Sequence, residues 1–319
     1  MPFSGPSSYL PTIDEFISHW TDVNTALGIP PLTLPGPYAL SNLQADRTSM
    51  SNAITELIDA INVLEGHRDD RENRKTALRE RMRQLGSFIR GVLAGSNYVG
   101  RVPELINHDA NQGRWIVNMR DFREIWADIN ATPPSGFTPP LLLTGGYTHA
   151  MFTTDVAALE TTFTALTEAE KDVERELEER EALYHAIRGQ LVRYRDAVEG
   201  RFPANHPLVL SIPRLDPLPG HTPDPVVLSG GWNAGTSMAD LTWTASTDPD
   251  LEFYDVRRSV QDPYNGNLEI QVERLPAGTT NFSTNEGLGA PGADMRFTVY
   301  VVLTTGNERR SNVVEITRP

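Results

Sequence analysis

The chain has 319 residues, no cysteine, and 28 basic against 42 acidic side chains, for a net charge of −14. That balance argues against nucleic-acid and anionic-membrane partners, both of which need clustered positive charge. The missing cysteine excludes disulfides, thiolate metal sites and thiol nucleophiles. No run approaches the roughly 18 apolar residues of a membrane span, and Met1-Pro2-Phe3-Ser4-Gly5-Pro6 lacks the basic and apolar regions of a secretory signal. The compartment is left open: cytoplasmic, or a cell-surface or extracellular assembly if another export route is used.

In chain order, Thr12–Leu27 reads as a short helix with Phe16 and Trp20 four apart on one face, and with Asn24 and Gly28 as terminators. Pro30 to Tyr38 is an extended connector, because its prolines and Gly36 forbid helix. Ala39 to Gly95 is one long amphipathic helix. Apolar residues recur in steps of four and three at Met50, Ile54, Leu57, Ile61 and Leu64, then at Leu78, Met82, Leu85, Ile89 and Val92, a coiled-coil seam. The weak point is Gly66 to Asp70, where a hairpin would turn. The matching stretch of the second copy, Arg175 to Glu179, is all good helix formers, so a continuous helix is expected.

That second copy lies 109 residues on, with a seam at Leu159, Phe163, Leu166, Val173, Leu177, Tyr184, Ile187, Leu191, Tyr194 and Val198. Phe122 and Trp126 repeat Phe16 and Trp20, Pro139-Pro140-Leu141 repeats Pro30-Pro31-Leu32, and Gly145-x-Tyr147 repeats Gly36-x-Tyr38. The expected fold class is therefore multidomain α and β. Residues 1–214 form a duplicated, antiparallel long-helix bundle with repeat units at about 12–105 and 118–215.

Residues 215–225 form a Pro-rich linker, stiff and extended. Beyond it the apolar period changes to two. Leu241 to Ala245, Phe253 to Arg257, Phe297 to Val301 and Val313 to Ile316 read as strands of a β-sandwich over 226–319. Trp243 on an early strand, Asp248-Pro249-Asp250, the run Leu275 to Phe282, and Phe297-x-Val299-x-Val301 make this part resemble a fibronectin type III domain. The resemblance implies a sandwich fold rather than an activity, and Phe297 replaces the usual corner tyrosine. Residues 1–215 resemble duplicated helical regions that precede such domains in uncharacterised bacterial proteins.

Chemistry is sparse. Histidines 19, 67, 108, 149, 185, 206 and 221 show no zinc spacing. Asp248 and Asp250 offer calcium-type oxygens, but Asp-Pro-Asp favours an Asx turn for local reasons. Asp69, Asp70, Glu72, Glu174, Glu176, Glu178, Glu179 and Glu181 alternate with arginines, the pattern of a solvated, ion-paired helix face. Phe16, Trp20, Phe122 and Trp126 read as core rather than as a ligand pocket. Gly145-Gly146 and Gly230-Gly231 read as turns. No catalytic, cofactor-binding or metal residue is assigned, and no cofactor is expected.

The expected role is a non-enzymatic structural or self-assembling subunit of a bacterial filament, surface layer or particle. The alternative is a binding module or adhesin holding a protein or carbohydrate partner in the sandwich loops. Homo-oligomerisation is expected because Ala53, Ile58, Val63, Phe88 and Leu93 widen the apolar stripe beyond what a short helix covers. The arms Met1–Pro11 and Leu215–Pro225 would reach neighbours, and the sandwiches would project outward. Symmetric register places Arg71 opposite Glu170.

Overall fold

The computed structural model describes residues 2–217, 220–260 and 264–319. Four principal helices come first: α1 (Tyr9–Leu27), α2 (Leu40–Val92), α3 (Gln112–Ala131) and α4 (His149–Arg201). α2 and α4 are each 53 residues long and unbroken, so no hairpin forms at Gly66. A β-sandwich follows, and no helix among the described residues is long and apolar enough to cross a membrane.

The duplication reappears atom by atom where each short helix leads into its long one. Leu34 bridges Tyr38, and Leu143 bridges Tyr147. The Asn24 side-chain oxygen accepts the Leu32 N–H at 2.9 Å, and that of Asn130 accepts the Leu141 N–H at 2.7 Å. Asn24 thus lies inside α1, which Gly28 caps, and its side chain orients the connector rather than ending the helix. The Tyr38 hydroxyl donates to Asp46, and the Tyr147 hydroxyl to Asp155. Gly36 (φ +82°) and Gly145 (φ +80°) occupy the left-handed region that the two tight turns require.

Two compact bodies emerge: Met1–Asn62 with Asp172–Pro319, and Val63–Lys171. In the helical core of the first, Phe16, Trp20, Leu43 and Met50 pack with Ile187, Leu191, Tyr194 and Val198. In the second, Leu78, Met82, Leu85 and Ile89 pack with Trp115, Phe122, Trp126 and Phe152. Each core therefore joins half of one repeat to half of the other. The aromatics Phe16 and Trp20 lie in one core and Phe122 and Trp126 in the other, all buried.

The sandwich comprises β1 (Leu228–Asn233), β2 (Met238–Trp243), β3 (Leu251–Ser259), β4 (Ile270–Pro276), β5 (Asn281–Thr284), β6 (Asp294–Leu303), β7 (Glu308–Arg310) and β8 (Val314–Thr317). One sheet runs β1-β2-β5, the other β4-β3-β6-β7, with β8 also paired to β6; all pairings are antiparallel. Tyr254, Val256, Phe297, Val299 and Val301 point between the sheets with Leu241 and Trp243, as alternation dictates. Gly230-Gly231 is not a turn but lies within β1. A Cβ on Gly230 would sit 2.8 Å from the Asp240 carbonyl oxygen and from a Leu241 methyl, so close strand approach explains that glycine.

Several expectations change. Arg71 bonds its neighbour Glu72 at 2.6 Å, and Arg68 is the residue near Glu170, at 3.9 Å; the helices meet about one turn away from the symmetric register. The stripe is largely covered: Ala53 and Leu93 are buried and Phe88 packs against a core, leaving Ile58 half-buried and Val63 exposed. The N-terminal arm folds onto its own chain, with Phe3 buried and its N–H donating to the Leu215 carbonyl at 2.9 Å. Leu215 is buried and Asp216 pairs with Arg188, so the linker begins docked; Leu218 and Pro219 lie outside the described residues.

Because neither repeat supplies a whole core, residues 1–111 expressed alone should lack a cooperative melt as a monomer. Any folded species should be a dimer whose second copy provides the missing faces. Circular dichroism with sedimentation checks this, and a cooperatively melting monomer would contradict it.

Candidate functional site

The densest polar chemistry lies where the sandwich meets the helices of the first body. On β3 the core residues Tyr254 and Val256 alternate with Phe253, Asp255 and Arg257. Alternation alone would send that second set to solvent. Instead Asp255 and Arg257 are 0% and 2% exposed, with Ser7 of the N-terminal segment, Glu269, Glu308 and the Tyr300 ring closed around Arg257.

Arg257 is the centre. It donates to Asp255 Oδ2 at 2.8 Å, Glu269 Oε1 at 2.5 Å, Glu308 Oε2 at 2.8 Å and Ser7 Oγ at 3.0 Å, and lies 3.8 Å over the Tyr300 ring. The other Glu269 oxygen accepts from the hydroxyls of Tyr264 at 2.7 Å and Tyr300 at 2.9 Å. Burial pushes the carboxyls of Asp255 and Glu308 above their usual range, with Arg257 pulling them back. Burial would depress Arg257, but the carboxylates around it reverse that and hold it well above its usual value.

Ser7 reaches this cluster because a 3-10 turn, Pro6–Ser8, starts α1. The Ser8 hydroxyl fastens the turn, accepting the Ser4 N–H at 2.9 Å and donating to the Gly5 carbonyl at 2.6 Å. Beside it, Pro2 rests on Gly306, where a Cβ would collide with the proline ring. From α4, the buried Arg180 pairs with Glu181 at 2.7 Å and donates to the Asn267 carbonyl at 3.2 Å. From β3, Arg258 approaches the Asn62 side-chain oxygen at 3.5 Å. The sandwich is thus seated on the helices of the first body rather than projecting freely from them.

A cleft of about 520 Å³ opens beside this junction. Its apolar wall is Leu10 of α1 with Ile54, Leu57, Ile58 and Ile61 of α2. Its polar wall is Arg257, Glu269, Gln271 and Arg274, with Arg47 and Asp14 at hydrogen-bond distance of each other on the cleft lining. The fold brings these together from residues 10 to 274, so no local motif could have announced the cleft. Same-face opposite charges at Asp255 and Arg257 were the available signal for the cluster.

Other sequence candidates resolve into local structure. Asp248 Oδ1 accepts the Asp250 N–H at 3.0 Å, the Asx turn, and its other oxygen meets His221. His19 is buried, its Nε2 donating to the Leu208 carbonyl at 2.8 Å, which leaves Nδ1 to accept from the Tyr194 hydroxyl at 2.6 Å. His206 accepts the Leu208 N–H as a cap. Asp70 pairs with Arg74, Glu72 with Arg71 and Lys75, and Glu176 with Arg175, an ion-paired face. Among the described residues, no group of three His, Asp or Glu side chains is placed to hold a metal.

Removing one member of a buried charge cluster strands the others. Arg257→Met should therefore cost about 3–5 kcal/mol of stability in denaturant melts. A second outcome concerns pH. The Glu308 carboxyl protonates at higher pH folded than unfolded, so the folded state binds more protons across that window and its stability falls as pH rises through it. As pH rises through the Glu308 titration, the stability difference between Glu308→Gln and the parent should therefore shift in favour of the variant, read by parallel melts; a pH-independent difference would contradict this.

No protein-family model matches the chain, and no curated protein matches it. Among solved structures, it is similar to pectate lyase PelI of Erwinia chrysanthemi, with 20% identity over 29% of this chain and 28% of that one, TM-score 0.26. A Fn3-like protein from Clostridium thermocellum is 23% identical over 31% of this chain and 96% of that one, TM-score 0.26. The spore cortex lytic enzyme SleM of Clostridium perfringens is 20% identical over 33% and 29%, TM-score 0.24. The chain spans about 28% of the length of the pectate lyase it matches. The expectation that the chain is not an enzyme is corrected by these neighbours, several of which are enzymes. The physical reason is that a sandwich serves catalytic and non-catalytic proteins alike, so a missing motif does not exclude catalysis.

Proposed function

We propose that the protein is a structural subunit of a larger assembly, such as a bacterial filament, surface layer or particle, in which the helices carry the sandwich at a fixed orientation. The observation that carries this reading is the seated junction. Arg257 binds three sandwich carboxylates and Ser7, while Arg180 holds the Asn267 carbonyl from α4. Modules within one chain ordinarily move relative to one another unless the contact between them is extensive. A module that only had to capture a ligand would need no such seat, whereas a building block must transmit position. The same reading takes residues 226–319 as a fibronectin type III module, supported by Trp243 packing on Tyr254 at 5.6 Å and by the Phe297-x-Val299-x-Val301 strand.

A second reading, a binding module, is favoured by the cleft beside the junction. The two separate in sedimentation and negative-stain microscopy across about a hundredfold concentration range. A subunit is expected to form regular, concentration-dependent objects, and Arg257→Met should impair them at temperatures where it remains folded. A monomer throughout would sink the assembly reading and leave the binding one.

A further inference from the structure

We propose that the cleft between α2 and β4 binds a small amphipathic carboxylate, with its apolar body on the α2 isoleucines and its carboxylate on Arg274. This goes beyond the assembly reading and stands or falls separately from it. The volume, about 520 Å³, suits a small organic ligand, and a cleft between two packed modules is a common place for one.

The four arginines lining the cleft are not equivalent. Arg47 donates to both oxygens of Asp14, at 3.0 and 3.1 Å. Arg180 is taken by Glu181 and the Asn267 carbonyl. Arg257 is taken by three carboxylates. Arg274 differs. It stands opposite Asp255 in the β3–β4 register and feels that charge, yet its buried Nε has no hydrogen-bond partner among the described residues. The Phe253 ring lies 4.2 Å from its guanidinium carbon and supports it from one side. A guanidinium held on an aromatic face keeps its planar edge for a bidentate partner, and a carboxylate matches that edge.

The opposite wall sets the rest of the ligand. Ile54 and Ile58 of α2 are only partly buried although they border a packed junction. An alkyl chain laid along them would remove apolar surface from water. Of the two carboxylates lining the cleft, Asp14 is engaged by Arg47 and Glu269 by Arg257 and the two tyrosines, so they offer little to a cationic head group. An anion with an apolar tail therefore fits both walls, and a neutral or cationic analogue fits one.

The test is calorimetric titration of the full chain with decanoate below its micellar range, against decanol and decylamine as controls. One saturable decanoate site is expected, with both controls about tenfold or more weaker. Arg274→Gln should weaken decanoate about tenfold without affecting decanol, and Ile58→Asp should abolish binding. Arg193→Gln, on an exposed stretch of α4, should change nothing. Melting curves of each variant establish that it is folded before titration. Absent saturation, equal binding of decylamine, or decanoate binding indifferent to either Arg274→Gln or Ile58→Asp would overturn the proposal.

Discussion

Everything in the helical part depends on one constraint: neither repeat can enclose a core. A 53-residue helix buries its seam only where something lies against it, and each long helix is covered along its two halves by different partners. The start of α2 needs α1 and the end of α4. The end of α2 needs α3 and the start of α4. Helical propensity alone would not stabilise these elements; packing of the amphipathic faces does. The copied asparagine and tyrosine–aspartate contacts then fix each connector at the same angle, so that each short helix returns to the right face.

Against that symmetry, the sandwich has chosen one body, and the two copies differ where it rests. Ile58 and Ile61 of the first copy correspond to Thr167 and Glu170 of the second. Ile61 is buried, while the Glu170 side chain is half exposed. Arg180, 3% exposed beneath the sandwich, corresponds to Arg71, which remains partly open and bonds its helix neighbour Glu72. A duplicated scaffold has diverged so that one copy offers an apolar shelf with a buried arginine and the other offers charge. The buried cluster on Arg257 adds orientation more than stability, since burying four charged groups costs desolvation that their attraction only offsets.

The long helices, the Pro-Gly connectors and the duplication were legible because each is written locally: a heptad, a punctuator, a repeated spacing. The sandwich was legible through alternation on β3 and β6. What stayed hidden depends on what covers a surface. Alternation marks Asp255 and Arg257 as outward and says nothing of whether outward means water. Gly230-Gly231 resembles a turn until the close pairing of β1 with Asp240 and Leu241 of β2 is known. The Arg71–Glu170 pairing failed because sequence symmetry fixes the helix faces but not the axial stagger, which side-chain packing decides. The cleft draws on residues 10 to 274 and has no signature in any one stretch.

The path of the chain through its two bodies has a further consequence. The second body, Val63–Lys171, is an insertion within the first, entered and left through uninterrupted helix rather than through a flexible linker. Such an arrangement makes the inserted part a cartridge. Just inside its two ends Arg68 of α2 comes within 3.9 Å of Glu170 of α4, and two helices that close are the setting for a short helix–helix turn. Evolution or a protein engineer can exchange everything beyond that point for a tight turn, a longer hairpin or a foreign helical pair. The core of Phe16, Trp20 and Tyr194, the seated sandwich and the Arg257 cluster would all stay on the retained side of the cut.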